Sequence, residues 1–360
     1  MLDKNKVIVG LSGGVDSSTV AYILKNKGYD VIGATLHLFD EYDNKGNIIR
    51  PSFIDDAKRV AKALGISHHI VDYRSSFNDT VKREFVEKYL DGKTPNPCVT
   101  CNKLIKYGKF LEYAHSIGAY YLATGHYAKI LYDGDINKYR LFKGESEKKD
   151  QAYLLHSLTQ EQLKHILLPL GEFKSKEDVR KVAKGININI SKKKDSLGIC
   201  FIPNEDYTSY LSKQSPDGVK GGDFVDLNGN IIGRHKGIVN YTIGQRRGLG
   251  VKFDKPKFVI SINPKRNQVV LGDDRDTYSK GLIAINCNFT LYDKVTTKLK
   301  VKVKVCQWGW FLPAIIYPYK DKKVKVVFDK KERAIAPGQA VVFYDKDEVI
   351  GGGTIEKVLK

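Results

Sequence analysis

The sequence predicts an α/β protein with three parts: an N-terminal doubly wound parallel sheet, a small central mixed domain and a C-terminal β-barrel. Short apolar runs alternate with helix-period segments up to about residue 203, residues 216–250 are rich in turn-forming residues, and the chain after about 281 alternates apolar and charged residues. Strand–helix alternation is typical of a parallel sheet, and a series of short strands is typical of a barrel or sandwich. We therefore expect domains over 1–203, 204–280 and 281–360.

The elements of the first half follow from the same periodicity. Strands are expected at 7–11, 30–39, 68–73 and 120–124, and helices at 17–27, 55–64, 75–90 and 101–117. Gly28 is the expected left-handed end of its helix, Gly65 and Gly118 are expected to end two later helices, and Asp55 is the expected cap of its helix. A hairpin is expected around 132–135, followed by helices between 151 and 184.

The second half contains a strand with a row of lysines. The stretch KLKVKVKV, residues 298–305, alternates lysine with apolar residues, so its lysines share one face of the strand. Such a row forms a solvated face or protects an edge strand from pairing with another chain. Contact with nucleic acid is the third alternative.

The composition favours a soluble protein with a polyanionic partner. The chain has 360 residues, 42% of them hydrophobic, which is enough for more than one domain. It has no run of about 18 apolar residues, and its start, MLDKNKVIVG, is too charged for a secretory signal, so we expect a cytoplasmic protein that does not bind membranes. Five cysteines do not make a disulfide framework. The net charge of +19 favours a polyanion, unless it reflects only a lysine-rich composition.

The stretch GLSGGVDSS, residues 10–18, is a glycine-rich turn between a predicted strand and a predicted helix. Such a turn presents backbone N–H groups to an anion, but this one lacks the lysine of the usual triphosphate loop. The pattern S-G-G-x-D-S resembles the loop of the ATP pyrophosphatases, which cleave ATP between its α- and β-phosphates. The resemblance implies a cradle for pyrophosphate made by Ser12, Gly13, Gly14, Ser17 and Ser18. Asp16 would hold Mg²⁺ or orient the start of the helix.

Three of the cysteines lie in two motifs of their own. TPNPCVTCN (94–102) places Cys101 at the expected start of a helix, where the helix dipole favours a thiolate. KKKDSLGICFIP (192–203) places Cys200 after three lysines, which also favours a thiolate. The alternatives are a zinc site that uses Cys98 and Cys101, and an inert, buried Cys200.

Together these motifs resemble the tRNA-specific 2-thiouridylases of the MnmA/TrmU family, which place sulfur on the wobble uridine. The resemblance covers essentially the whole chain. The motifs occur in order as GLSGGVDSS, TPNPCVTCN, ATGHYA (123–128), KKDQAYLL (148–155), DSLGICFIP (195–203), YTIGQRRGLG (241–250) and PGQAVVFYD…GGGTI (337–355).

The resemblance implies roles for individual residues. It assigns ATP to Gly10, Leu11, Ser12, Gly13, Gly14, Val15, Asp16 and Ser17, with Leu36 and Gly125 on the adenine and ribose side. It assigns the flipped target base to Asn96, Pro97 and Cys98, further tRNA contacts to Lys149, Asp150 and Gln151, and a phosphate clamp to Arg246 and Arg247. Cys200 would receive sulfur as a persulfide, and Cys101 would release it through a transient disulfide. The implied partners are ATP with Mg²⁺, the tRNAs for Lys, Glu and Gln, and a cysteine desulfurase or sulfur-relay carrier.

Two departures from the family pattern leave alternatives open. Many members have aspartate where this chain has Cys98. Because this chain has cysteine there, Cys98, Cys101 and Cys200 could together hold a 4Fe–4S cluster. Of the two sulfur routes we favour the persulfide. The family's barrel often carries an Arg–aromatic pair for tRNA, to which KVKVCQWGWFLP (302–313) corresponds poorly. Lys304 is a candidate to replace the arginine of that pair. Trp308 and Trp310 are expected in the core rather than on a stacking surface. Cys287 and Cys306 are expected to be packing residues.

Two other classes of function compete with thiolation. An amide-forming ATP pyrophosphatase would need an ammonia source and would leave the cysteines without a role. A non-catalytic RNA-binding protein would not need an intact S-G-G-x-D-S loop. We therefore predict an ATP-dependent tRNA 2-thiouridylase.

Overall fold

The computed structural model describes residues 2–42, 45, 47–186, 198–202, 206–216, 219–320 and 322–360. Its strands are β1 (Asp3–Gly10), β2 (Asp30–His37), β3 (Glu41–Tyr42), β4 (Ile48–Ile49), β5 (Ser67–Asp72), β6 (Ala119–Ala123), β7 (Ala128–Asp133), β8 (Lys138–Lys143), β9 (Ile166–Leu167), β10 (Gly222–Val225), β11 (Ile231–His235), β12 (Phe258–Asn263), β13 (Gln268–Gly272), β14 (Tyr278–Phe289), β15 (Leu299–Lys304), β16 (Leu312–Lys320), β17 (Lys323–Arg333), β18 (Ala340–Asp345) and β19 (Glu348–Leu359).

The described helices include two that change their winding along their length. The α-helices are α1 (Val15–Asn26), α2 (Ser52–Leu64), α3 (Arg74–Phe77), α4 (Arg83–Leu90), α5 (Pro97–Cys101), α6 (Phe110–Ser116), α7 (Gln160–Lys164), α8 (Lys176–Ala183) and α9 (Tyr207–Gln214). A π-helical segment, Asn78–Lys82, joins α3 to α4, and another, Asn102–Lys109, joins α5 to α6. Short 3₁₀ turns are Ala152–Leu155, Pro169–Glu172, Lys184–Ile186, Ile238–Asn240, Pro264–Arg266 and Asp274–Thr277. In the described part of the chain, no helix is long and apolar enough to span a membrane.

The chain divides into two compact units. The first contains Met1–Thr80, Cys98–Leu197 and Asp347–Ile350, and the second contains Val81–Pro97, Gly198–Lys346 and Gly351–Lys360. The domain limits expected from the sequence, at 203 and 280, stay a prediction.

A parallel sheet with the strand order β5–β2–β1–β6–β9 forms the centre of the first unit. The chain builds outward from β1 in one direction through β2 and β5, and then returns to add β6 and β9 on the other side. This confirms the doubly wound sheet predicted from the sequence. The short strand β9 was missed, because the sequence predicts only helices between 151 and 184.

The helices of the first unit bury the faces that the sequence pattern predicts. In α2 the residues Ala57, Val60, Ala61 and Leu64 recur at helical spacing and are buried in the same cluster as β1. Gly28, Gly65 and Gly118 have φ values of 88°, 59° and 82°. The left-handed end predicted at Gly28 is confirmed, and the other two helix ends have the same conformation.

Two helices begin earlier than the sequence predicts, and in both cases a proline is the reason. Pro51 precedes the first residue of α2, so Asp55 lies within the first turn and is not the cap. Pro97 opens α5, so that helix begins four residues before Cys101. A proline at a helix start is favourable because its φ is already helical and its missing N–H would have no partner there.

The second unit contains a small mixed sheet and a closed barrel. The small sheet has the order β11–β10–β13–β12, in which only the β10–β13 pair is parallel. The six strands β14, β17, β16, β15, β18 and β19 follow one another around the barrel, and pairing of β14 with β19 closes it. These two sheets confirm the predicted central mixed domain and C-terminal barrel.

The barrel corrects three expectations about residues 298–311. The lysines of 298–304 do share the outward face, but β15 pairs with both β16 and β18 and is not an edge strand. Trp308 and Trp310 are 75% and 87% exposed, so the core placement was wrong. Cys306 is exposed as well, whereas Cys287 is partly buried. These side chains are exposed because they belong to the loop between β15 and β16, and a barrel core is filled from its strands.

Candidate active site

The glycine-rich loop lies at the carboxyl end of β1, where the order of the sheet reverses. The chain leaves β1 through α1 towards β2, while β6 lies on the other side of β1. In open parallel sheets, ligands bind in the crevice at this switch point. Leu36 lies near the corresponding end of β2 and is partly buried, and Gly125 follows the end of β6. The fold therefore brings the ends of these three strands to the same edge of the sheet.

The start of α1 is suited to an anion. Gly14 occupies the cap position in an extended conformation and, as a glycine, has no side chain to cap the first backbone N–H groups. The hydroxyls of this loop bond within it, since Ser17 Oγ accepts from Ser12 N at 3.1 Å and Ser18 Oγ donates to the Gly14 carbonyl at 2.7 Å. The uncapped N–H groups and the positive end of the helix dipole fit the phosphates of ATP.

Two glycines of the site have no room for a side chain. Gly13 has a φ of 65°, and a Cβ there would overlap Asp56 of α2. A Cβ on Gly125 would lie 2.9 Å from Asp16 Cβ and 3.2 Å from Ser17 N. Gly13 thus fits against the first turns of α2, and Gly125 fits against the first turn of α1.

Asp16 is held by two residues that the sequence analysis missed. Its Oδ1 accepts a hydrogen bond from the Tyr127 hydroxyl at 2.7 Å, and its Oδ2 pairs with Lys176 Nζ at 2.6 Å. Lys176 is only 8% exposed and is the first residue of α8. A cation in the first turn of a helix is unfavourable because it opposes the helix dipole. A lysine at this position of a predicted helix is therefore the sequence signal that could have identified Lys176.

The arrangement around Asp16 favours the second of its two predicted roles, orientation of the α1 start. Both carboxylate oxygens are engaged by side chains of the protein. Among the described residues, no group of three or more His, Cys, Asp or Glu side chains could hold a metal ion. Asp16 as a ligand of Mg²⁺ stays a prediction.

The structure places Cys98 and Cys101 differently from the sequence prediction. Cys98 is in the first turn of α5 and exposed, whereas Cys101 ends α5 and is 7% exposed. Although the Cys98 side chain is partly open to solvent, the protein atoms around its thiol desolvate it and raise its pKa, and the charge of Lys106 partly opposes that shift. The helix-start position predicted to favour a Cys101 thiolate therefore belongs to Cys98.

A buried polar network lies beside Cys101. The Tyr107 hydroxyl is 2.6 Å from Thr124 Oγ1 and 2.9 Å from His126 Nδ1. Burial holds the pKa of His126 well below its usual 6.5, so the imidazole is neutral at physiological pH. Burial raises the pKa of Tyr107, and the nearby Cys101 thiol adds to this effect. Tyr107 belongs to a π-helical segment, a geometry that recurs at functional sites.

Cys200 lies on an exposed turn of the second unit. Gly198, at a φ of 87°, precedes it, and Ile202 N donates to the Ile199 carbonyl at 3.0 Å. The next residue, Phe201, is buried with its ring 5.5 Å from those of Phe85 and Tyr210. Cys200 is therefore exposed rather than buried, while the three lysines predicted to favour its thiolate, 192–194, lie outside the described residues. All five cysteines are described, and none forms a disulfide in the structure.

Residues 149–151, which the sequence analysis assigns to tRNA contacts, are held in place by hydrogen bonds within the first unit. Asp150 is 9% exposed, and its Oδ1 accepts from Gly144 N and Ala152 N. Gln151 Oε1 accepts from Tyr127 N at 3.1 Å, which links this segment to the residue that holds Asp16. Lys149 is partly buried, as are Asn96 and Pro97. Arg246 and Arg247 are exposed on a loop of the second unit.

A glycine-lined anion cradle at the switch point of a doubly wound sheet defines a nucleotide-binding protein of the ATP pyrophosphatase class. Family models described as tRNA methyl transferase HUP domain, tRNA methyl transferase PRC-barrel domain and Aminomethyltransferase beta-barrel domain match residues 5–204, 209–273 and 279–355.

Full-length relatives make the assignment specific. The chain is 48% identical to tRNA-specific 2-thiouridylase MnmA 1 of Caldanaerobacter subterraneus, covering 99% of each protein. It is also 48% identical to tRNA-specific 2-thiouridylase MnmA of Clostridioides difficile over 100% of each. The corresponding protein of Acetivibrio thermocellus is 45% identical, with 99% and 100% covered. The chain therefore belongs to the tRNA-specific 2-thiouridylase family, and it is a sulfurtransferase.

Proposed function

We propose that this enzyme uses ATP to replace the C2 oxygen of the wobble uridine of tRNA by sulfur. The observation that carries the proposal is the uncapped start of α1 beside Gly13 and Gly125, which suits the pyrophosphate that leaves ATP. The family of full-length relatives supplies the class of reaction. An amide-forming reaction is less well supported, because it gives the cysteines no role.

The reaction has two stages. The uridine C2 oxygen attacks the α-phosphorus of ATP, pyrophosphate leaves, and the oxygen becomes part of an AMP leaving group. The terminal sulfur of a Cys200 persulfide then attacks C2 and AMP departs, which leaves tRNA joined to Cys200 through an S–S bond. The Cys101 thiolate attacks Cys200 Sγ, so that a Cys101–Cys200 disulfide forms and the 2-thiouridine is released. An external dithiol returns two electrons to reduce that disulfide before the next cycle.

Exposure of the cysteines supports these separate roles. Cys200 is accessible to a protein that donates sulfur, whereas Cys101 is nearly buried and can meet only small groups or another segment of this chain. The raised pKa of Cys98 disfavours its thiolate form, so Cys98 is a poor acceptor of sulfur. The donor is a cysteine desulfurase or a sulfur-relay carrier.

The substrate is a tRNA of the Lys, Glu or Gln type. Access to C2 requires the base to leave its stack, so the enzyme needs a pocket and a basic docking surface. We assign the flipped base to Asn96, Pro97 and Cys98 and the neighbouring backbone to Lys149 and the segment that follows it. The net charge of +19 suits such a polyanion.

The test is an anaerobic reaction with purified enzyme, unmodified tRNA, ATP, Mg²⁺ and a persulfide source. Nucleoside mass spectrometry quantifies 2-thiouridine, and iron is determined on each preparation. Wild type is compared with Cys200→Ser and Cys101→Ser. Cys306→Ser is the matched control, because Cys306 is an exposed cysteine of the same unit as Cys200.

We expect wild type and Cys306→Ser to make 2-thiouridine and the other two variants to make none. Cys98→Ala separates the two sulfur routes. Activity without iron in this variant supports the persulfide, whereas joint loss of iron and activity means that a 4Fe–4S cluster delivers the sulfur. A wild-type enzyme that makes no 2-thiouridine refutes the proposal.

A further inference from the structure

The four residues that lead into α5 form a stiff stretch of chain. Residues 94–97 read Thr-Pro-Asn-Pro, and we call them the proline segment. Each proline fixes its own φ angle and keeps the residue before it extended, so Thr94 and Asn96 have little freedom. Pro95 is also buried. A contact at Thr94 therefore sets the position of Asn96 and Pro97, which we assign to the flipped base.

The start of the proline segment is hydrogen-bonded to a turn of the barrel. Thr94 N donates to the Pro337 carbonyl at 2.9 Å. Pro337 belongs to the turn 336–339, which connects β17 to β18. The turn and the proline segment both lie in the second unit. The barrel thus supports this segment within one compact body.

The turn 336–339 is itself fixed to β19. Gly338 N donates to the Ile355 carbonyl at 2.9 Å, and Ile355 N donates to the Gln339 carbonyl at 2.8 Å. Within the turn, Gln339 N donates to the Ala336 carbonyl at 3.3 Å. Gly338 and Ile355 are both buried, so water does not compete for these backbone groups. The turn is therefore a rigid support for Thr94.

Gly338 allows the turn and the segment to approach this closely. It has a φ of 91°, and a Cβ there would lie 2.9 Å from Lys93 Cβ and 3.0 Å from Thr94 N. The chain is also confined from β12, because a Cβ on Gly92 would lie 2.7 Å from Ile262 Cγ2. A larger residue at 338 would strain the backbone and push on residues 93 and 94.

We propose that Gly338 is a positioning residue for thiolation, a role that rests on the proposed action on tRNA. It acts through its neighbours, because it lets the barrel turn hold the proline segment where Asn96 and Pro97 meet the flipped uridine. The C2 oxygen of that base has to lie in line with the α-phosphorus of ATP. A displacement of about 1 Å at such a site lowers the rate by about a hundredfold.

The test compares Gly338→Ala with Gly237→Ala as the matched control. Gly237 also belongs to the second unit and has a φ of 118°, and a Cβ there would lie 3.0 Å from Val219 Cγ1. Its three nearest atoms all belong to Val219, so the control adds similar strain without touching the proline segment. Pro95→Ala is a second test variant, which loosens the segment and keeps the hydrogen bond to Pro337.

Three properties of each protein are measured. Formation of 2-thiouridine gives kcat and the KM values for tRNA and ATP, with kcat expressed per enzyme molecule that binds tRNA. Hydrogen exchange of residues 91–97 reports the amide of Thr94. Thermal unfolding gives the loss of stability caused by each substitution.

We expect Gly338→Ala to lower kcat about tenfold or more and to leave both KM values within about twofold of wild type, because docking of tRNA and ATP is kept while the base is displaced. The Thr94 amide should exchange faster. Gly237→Ala should lose stability but keep the wild-type kcat and the wild-type exchange of 91–97. Pro95→Ala should also lower kcat.

The proposal is overturned if Gly338→Ala turns over like wild type, or if Gly237→Ala loses as much kcat, since the effect would then be one of stability alone. In either case the proposed function stands. If Gly338→Ala does not fold, an unchanged kcat in Pro95→Ala overturns the proposal. Wild type that makes no 2-thiouridine refutes the proposed function, and exchange of the Thr94 amide then decides whether Gly338 holds the segment.

Discussion

At the residue scale, the pair of Asp16 and Lys176 joins the start of α1 to the start of α8 across 160 positions of sequence. Lys176 is almost fully buried, so removing its charge leaves the Asp16 carboxylate without its cation. We expect Lys176→Met to lower the free energy of unfolding by about 1–3 kcal/mol and to weaken ATP binding, since the first turn of α1 loses its support. Chemical denaturation and calorimetric ATP titration measure the two effects.

Lys181→Met is the matched control for this prediction. Lys181 also pairs with an aspartate, Asp178, but the two side chains are 73% and 44% exposed. Such a pair contributes well under about 1 kcal/mol. If the two variants were equally stable and bound ATP equally well, the support assigned to Lys176 would be wrong.

The buried His156 makes stability depend on pH. Its Nδ1 donates to the Tyr153 carbonyl at 2.9 Å, and burial lowers its pKa from 6.5 to about 4. Between these pH values the unfolded chain binds a proton that the folded chain does not, so stability falls as pH falls from 6.5 to 4. The loss reaches roughly 3 kcal/mol, and above pH 6.5 the residue has no effect.

His156→Gln tests this pH dependence, because glutamine can bond the same carbonyl and does not titrate. Denaturation at a series of pH values should give a shallower decline below pH 6.5 for the variant than for wild type. Burial also lowers the pKa of His126, so part of the decline in stability remains in both proteins. A variant with the same slope as wild type would show that His156 is not the titrating group.

At the scale of elements, the sequence predicts where helices and strands occur better than where they begin. Apolar spacing correctly places α2, because a buried stripe is a local property. Pro51 and Pro97 move the helix starts, and with them the assignment of a helix-start cysteine from Cys101 to Cys98. The status of β15 as an interior strand depends on partners at 312–320 and 340–345, which no local pattern identifies.

The loop between β15 and β16 gives a prediction about stability. Trp308 and Trp310 are the two tryptophans of the chain and are largely exposed, so their replacement by alanine should change the free energy of unfolding by less than about 0.5 kcal/mol each. Phe343→Ala is the contrast, because Phe343 is fully buried in β18 and should cost about 3–5 kcal/mol. Unfolding followed by circular dichroism measures both. A large loss of unfolding free energy in either tryptophan variant would show that the exposed placement of these residues is wrong.

At the scale of the whole molecule, the site combines positions that the sequence brings out separately. The S-G-G-x-D-S loop and the ATGHYA motif are visible as strings, and the doubly wound sheet places Gly125 against Asp16. Lys176 pairs with the carboxylate of Asp16, but it belongs to none of the sequence motifs. The sequence could therefore predict the glycine-rich loop between β1 and α1 but not the pair of Asp16 and Lys176, because that contact depends on how distant segments pack.

The division into two units gives the last prediction. Residues 81–97 come from the first half of the sequence but belong to the second unit, where Phe85 packs at 5.5 Å on Phe201 and at 6.3 Å on Tyr210 of α9. Phe85→Ala should therefore raise hydrogen exchange in α9 while the parallel sheet keeps its protection. Phe77→Ala is the matched control, since Phe77 is equally buried but belongs to the first unit. It should loosen the surroundings of its partner Phe39 and leave α9 protected. If Phe85→Ala loosened the sheet as much as α9, the two units would unfold as one, and the segment 81–97 would not belong to the second alone.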